Sequence, residues 1–298
     1  MFNRNGGEKV MDFQIFFLKE NSRIYDRAEL MTFLASNPNI TPPNLKENVS
    51  KREYIFYHQT LNFEAKFIVN SKSVVPHMER LGAKYFDVNF YVTFNLLLSN
   101  YAAEIILDII QEICSKFDFK IFIESYGTEV KPFKRTDVIQ QINLWKKAFA
   151  DKYPEQLSGW YKLDSSALHS VYTYLLQRKR LELTYDQNKL QVSNYYFLHA
   201  LKSRSVFVAI KWDGEKPFIL PPSVDVLIYD NGKTERYLPM IEVLSKAGKL
   251  FSVLDNYGTL QVLEGKYVSK LVKILNKEKF APSKSELQFV QLEKILDV

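Results

Sequence analysis

The stretch from Tyr85 to Glu124, YFDVNFYVTFNLLLSNYAAEIILDIIQEICSKFDFKIFIE, constrains the fold more than any other part of the chain. Phe86, Val88, Phe90, Val92 and Phe94 alternate with Asp87, Asn89, Tyr91 and Thr93, which is the period of a half-buried strand. Past Ser99 the period changes. Ile105, Ile106, Ile109, Ile110, Ile113, Cys114 and Phe117 fall on one helical stripe, with Glu104, Asp108 and Glu112 opposite. Phe119, Ile121 and Ile123 then resume the alternation. The segment predicts strand, helix, strand, and it carries no catalytic signature.

The same reading extends on both sides. Asp12 to Lys19 predicts a strand, and Asp26 to Ala35 a short helix with Asp26 as N-cap, closed by Asn37-Pro38. Tyr54 to His58 and Phe63 to Val69 predict a hairpin across Gln59 to Asn62, and a short helix is expected near Val74 to Leu81. The order β, α, β, β, then β, α, β resembles an α+β sandwich of the ferredoxin-like kind with an extra strand. Between Thr136 and Lys152 the spacing of Val138, Ile139, Ile142, Trp145, Lys146 and Phe149 predicts an amphipathic helix stopped by Tyr153-Pro154. A further helix is expected over Leu168 to Leu176, capped by Asp164 or Ser165.

The remainder reads mostly as strand: Val206 to Trp212, Phe218 to Leu220, and Val224 to Tyr229 before the hairpin signal Asn231-Gly232. A short helix from Pro239 to Gly248, a hairpin over Asn256-Tyr257-Gly258 and a helix over Val268 to Leu275 follow. Gln288 to Leu292 fits either period. The expected fold class is α+β in two small mixed units, the second hairpin-rich with short helices. The expected divisions are a disordered extension at 1–10, an N-terminal domain at 11–133, a helical linker at 134–163 and a C-terminal domain at 164–298. Met11 is an alternative start, directly before the first strand.

Composition narrows the function classes. With 46% hydrophobic and 25% charged residues in a chain of 298, substantial cores can form, and only 10 Gly disfavours glycine-rich binding loops. The net charge of +6 divides as +2 over residues 1–150 and +4 over 151–298, an even spread that weakens the reading of a dedicated nucleic-acid face without excluding it. A single cysteine, Cys114, excludes an intramolecular disulfide and fits a reducing, cytoplasmic compartment. No run approaches the length of a membrane span, so membrane insertion is not expected.

The motif candidates reduce to ordinary structure. Asn231-Gly232-Lys233-Thr234 contains the G-K-T of a phosphate loop, but position 227 is Leu where that loop needs Gly. Glu64-Ala65-Lys66 and Glu264-Gly265-Lys266 have the E-x-K form of metal-dependent nucleases. The residue facing Glu64 is expected to be Tyr57 rather than Asp, and Asp255, placed to pair near Thr259, sits about 17 Å along the hairpin from Glu264. The four histidines, His58, His77, His169 and His199, have no zinc-ligand spacing, and Cys114 lies on the apolar stripe of its helix. No cofactor motif and no metal site is expected.

Two sets of residues remain as binding candidates. Asp87, Asn89, Tyr91, Thr93 and Asn95 form a polar row on one strand face, set against the reading of a merely wet sheet face. Arg178, Lys179 and Arg180, with Lys202 and Arg204 downstream, form the densest basic cluster, set against cations that complement a helix C-terminus. The favoured function is a non-enzymatic interaction or regulatory protein whose partner is another protein. The alternatives are nucleic-acid binding through sheet aromatics such as Tyr91, and an enzyme whose dispersed site leaves no motif.

Overall fold

The computed structural model describes residues 11–22, 24–43, 50–201, 205–254, 256–258, 260–280 and 287–297. The α+β class is shown, and the chain divides into two compact units between Leu157 and Ser158, inside the expected 134–163 linker. The expected extension at 1–10 lies outside the described residues.

In the first unit the elements are β1 (Asp12–Glu20), α1 (Arg27–Ser36), β2 (Ile40–Thr41), β3 (Lys51–His58), β4 (Phe63–Asn70), β5 (Tyr85–Asn95), α2 (Asn100–Phe117), β6 (Lys120–Phe122), β7 (Lys131–Pro132) and α3 (Arg135–Lys152). Their sheet has the order β2-β3-β4-β5-β1-β6-β7, antiparallel at every pair. β1 and β4, joined through α1, run parallel with β5 between them. β5 and β6, joined through α2, run parallel with β1 between them. This is the split β-α-β pattern of the ferredoxin-like sandwich, widened by β2 and β3 on one edge and β7 on the other. Asp26 caps α1 by accepting from the Glu29 amide, and Ser99 caps α2 by accepting from the Ala102 amide.

The alternation read from the sequence builds the helix-side face. Phe13, Ile15 and Phe17 of β1 lie beside Phe90, Val92 and Phe94 of β5, with Phe17 stacked on Phe90 at 4.6 Å, and Phe13 meets Trp145 of α3 edge-on at 6.2 Å. β1 is also apolar on its other side, where Phe16 and Leu18 are buried. A strap, residues 71–81, crosses that side and packs Val75 and Leu81 on Phe16, Leu18 and Phe122. The expected helix near Val74 to Leu81 is a single 3-10 turn, Met78–Arg80, within this strap.

One carboxylate pins the strap. Asp87 Oδ2 accepts from the Ser73 hydroxyl at 2.6 Å and from the Val74 and Val75 amides at 2.6 and 3.0 Å. Its Oδ1 accepts from the Asn89 amide at 2.6 Å. The last bond closes a bulge. Tyr91 pairs with Phe16 but Asp87 with Leu18, so β5 has two more residues than β1 across this interval, and Asn89 takes φ +57°. Asn tolerates that left-handed conformation better than most residues.

The second unit contains β8 (Tyr161–Lys162), α4 (Ser165–Thr184), β9 (Gln191–Val192), β10 (Tyr195–Ala200), β11 (Val206–Trp212), β12 (Phe218–Leu220), β13 (Val226–Asp230), β14 (Glu235–Pro239), α5 (Met240–Ala247), β15 (Phe251–Val253), β16 (Gln261–Leu263), α6 (Val268–Lys277), β17 (Leu287–Val290) and β18 (Ile295–Leu296). A five-stranded sheet runs β14-β13-β11-β10-β17, with β11 and β13 parallel, and a four-stranded sheet runs β15-β16-β12-β9. Gln288 to Leu292 thus resolves mainly as strand β17. Trp212, Phe218, Tyr229 and Leu238 form one core with Met240 and Val243 of α5 and Leu271 and Leu275 of α6. Trp212 Nε1 donates to the Lys216 carbonyl at 2.7 Å, and Gly214 follows at φ +85° with the Tyr229 ring 3.0 Å from where a Cβ would stand. Side-chain hydroxyls link the segments: Tyr174 of α4 donates to the Ser193 carbonyl, the Ser193 hydroxyl to the Ile219 carbonyl, and Tyr195 to the Pro222 carbonyl. Among the described residues no helix is long and apolar enough to cross a membrane.

Asp87→Ala is expected to lower stability by about 2–3 kcal/mol, the range for losing hydrogen bonds to a charged group. Amide exchange at Val74 and Val75 should accelerate while exchange in α2 stays slow. Equal exchange in wild type and variant at those two amides would show that the strap does not depend on Asp87.

Candidate functional site

The polar row of β5 serves several local purposes. Asp87 and Asn89 are engaged in the strap and bulge. Tyr91 lies between Ile68 of β4 and Phe16 of β1, its ring 5.6 Å from that of Phe16, and burial raises its hydroxyl pKa above the ordinary value. Thr93 pairs with Lys66 and Gln14 and is only 8% exposed, and its Oγ1 has no hydrogen-bond partner. Asn95 accepts from the Leu97 amide at 2.8 Å and shapes the turn into α2. The cations beside this row are paired. Lys51 sits 2.5 Å from Glu53, and Lys66 is 3.9 Å from Glu64. Asp12 on the same face has a raised pKa from burial, opposed by Lys66. Among its described residues this face balances its own charge and offers no stripe of free cations to a phosphate backbone.

The basic cluster lies in α4, but not at its end. The helix runs to Thr184 and has no basic residue in its last turn, so Arg178, Lys179 and Arg180 do not complement its C-terminal dipole. Arg178 is half-buried and bonds Glu182 one turn on, at 2.5 Å. Lys179 and Arg180 are exposed, with Leu176 and Leu183 beside them. Lys202 and Arg204 lie outside the described residues, so the structure does not join them to this cluster.

The remaining motif candidates occupy structural positions. The Cys114 thiol is buried and pushed up to about 12 by that burial. His58 stacks on Phe63 at 5.3 Å with its pKa lowered by burial, and His199 is buried against the Tyr161 ring at 4.3 Å. His77 is 3.6 Å from Glu79, and His169 is exposed on α4. Glu64 faces Tyr57, as the hairpin reading requires. Glu264 bonds Lys266 at 2.7 Å and accepts from Ser252 at 3.2 Å, while Asp255 and Thr259 lie outside the described residues. Asn231 to Thr234 is a tight turn between β13 and β14 with Gly232 at φ +77°. Among the described residues no group of three His, Cys, Asp or Glu is placed to hold a metal ion.

Sequence reasoning missed the second face of the five-stranded sheet. The register puts Tyr196 and Leu198 of β10, Phe207 and Ala209 of β11, Val226 and Ile228 of β13, Tyr237 of β14 and Phe289 of β17 on one side, away from Trp212 and its core. Leu198, Ala209 and Ile228 are buried there, overlaid by half-buried Tyr196, Val226, Tyr237 and Leu287. Phe289 is 60% exposed and Phe207 37%. One end of this face carries an ion cluster, Lys211 with Asp230 at 2.8 Å and Glu235 at 2.9 Å, and those bonds raise the lysine pKa. The available signal was the nearly unbroken apolar run in β11 and β13, since a strand wet on one face alternates.

Two outcomes test these placements. Thr93→Val should raise stability by about 1 kcal/mol, because an isosteric methyl removes an unsatisfied buried hydroxyl; a lower melting temperature would reveal an unseen partner. Cys114 should resist an aromatic disulfide reagent in native protein at neutral pH and react fully in denaturant, whereas rapid native labelling would contradict its burial. Compared with protein-family models, with curated proteins and with solved structures, the chain matches none.

Proposed function

We propose that this chain is a non-enzymatic interaction protein that binds another protein through the second face of its five-stranded sheet. The observation that carries the reading is the pair Phe289 and Phe207, exposed above buried Leu198, Ala209 and Ile228. Contiguous apolar surface left in water is costly, and where it persists it commonly marks a docking site. The two rings offer on the order of 200 Å² between them, given the 150–250 Å² an aromatic side chain can bury. Even with half-buried Tyr196 and Tyr237 beside them, that falls short of the roughly 800 Å² each partner contributes to a standard interface. A partner segment docking reversibly fits this size better than a permanent subunit does.

The chemistry of the face favours protein over nucleic acid. Its lysine, Lys211, is held by two carboxylates, and a phosphate backbone would find no free cation among its described residues. On the β5 face, Tyr91 is packed on Phe16 instead of standing free to stack a base.

The test is affinity purification from native lysate, with and without nuclease, comparing wild type with Phe289→Ser and Phe207→Ser. Wild type should retain a stoichiometric protein through nuclease treatment, and each variant should weaken that binding by about tenfold or more while remaining folded. Equal recovery by all three proteins, or a partner that disappears with nuclease, would reject this reading.

A further inference from the structure

A second surface of the same unit has different chemistry. Leu176, Lys179, Arg180 and Leu183 stand at i, i+3, i+4 and i+7 in α4, so they share one side of the helix over about 10 Å of its length. Leu183 is 83% exposed and Leu176 37%. The two cations between them have no carboxylate within ion-pair reach among the described residues, in contrast to Arg178, which Glu182 holds. The opposite side of the helix is anchored by Tyr174 and Leu181, and on the stripe's own side Tyr172 is buried one turn before Leu176, so the exposed stripe begins at Leu176.

We propose that this stripe docks an acidic amphipathic helix of a partner protein. Two leucines a heptad apart form the start of a seam into which a second helix can set its own leucines. The heptad places one of Lys179 and Arg180 in the seam and the other at its edge, and a glutamate or aspartate on the facing helix pairs with each. A nucleic acid would use the cations and leave both leucines in water. A lipid surface takes a polybasic segment or a longer apolar face than two leucines supply. The inference is independent of the sheet-face reading, because it rests on other residues and predicts salt-sensitive binding.

Fluorescence anisotropy on the full chain tests it, with a labelled helical peptide carrying leucines in heptad spacing and glutamates beside them. Wild type should bind saturably and more weakly as salt rises. The double variant K179E/R180E should lose about tenfold or more in affinity and regain it toward the same peptide with lysine in place of glutamate. Leu183→Ser should weaken both peptides alike. Circular dichroism confirms that the variants, all at exposed positions, remain folded. Equal affinity for a scrambled peptide, no charge-swap rescue, or stronger binding to phosphatidylserine vesicles or single-stranded RNA than to the peptide would overturn the proposal.

Discussion

A strand that is apolar on both faces has to be covered twice, and the two units meet this requirement differently. In the first unit β1 sends Phe13, Ile15 and Phe17 toward the helix side and Phe16 and Leu18 the other way. The helices cover one side and the strap covers the other. The strap has little regular structure of its own, so its place is set by apolar contacts and by the four hydrogen bonds that Asp87 accepts. The bulge at Asn89 is part of the same device, since the Asn89 amide is one of those four donors. In the second unit the five-stranded sheet is also apolar on both sides, but among the described residues its second face is overlaid mainly by its own side chains. In the first sheet the apolar part of that side, around Phe16, Leu18 and Phe122, is covered by its own chain. The second leaves Phe207 and Phe289 exposed on that face.

Charge follows a parallel division. On the β3, β4 and β5 face of the first unit, lysines and carboxylates alternate closely enough to pair, as Lys51 with Glu53 and Lys66 with Glu64. Such exposed pairs add little stability. Their effect is to leave a wet sheet face with no net demand for a counter-charge. On α4 the pairing stops one residue short: Glu182 takes Arg178, and Lys179 and Arg180 remain. The cluster that looks uniform in sequence is split by helical geometry into one internal cation and two external ones.

Much of the fold was legible because it depends on local rules. The period-two run of β5, the apolar stripe of α2, the Asp26 cap and the Asn231-Gly232 hairpin each follow from residues close in sequence, and each stands where it was expected. The strap was not legible, because apolar residues Val74, Val75, Met78 and Leu81 have helical spacing but bury against a distant β1 and β6 that a helix there would not fit. Nor was the end of α4. Leu181 sits on the buried side of the helix and carries the periodicity past the basic cluster, where composition alone suggested a terminus. The row on β5 could be read as one face but not as three environments, since the burial of Thr93 and the use of Asp87 depend on neighbours brought in by the strands on either side and by the strap. The parallel pairing of β11 with β13 likewise has no local signature, and the exposed face follows from it.

The two candidate surfaces of the second unit differ in what they can discriminate. An apolar patch around Phe207 and Phe289 rewards any complementary apolar shape, so affinity there grows with buried area and falls little with salt. The α4 stripe adds charges in fixed register, which penalise a wrong partner more than they strengthen a right one. A protein that had only the first would bind broadly, and one that had only the second would bind weakly. Under both proposals the two surfaces use separate residues, so either can change without repacking the core around Trp212.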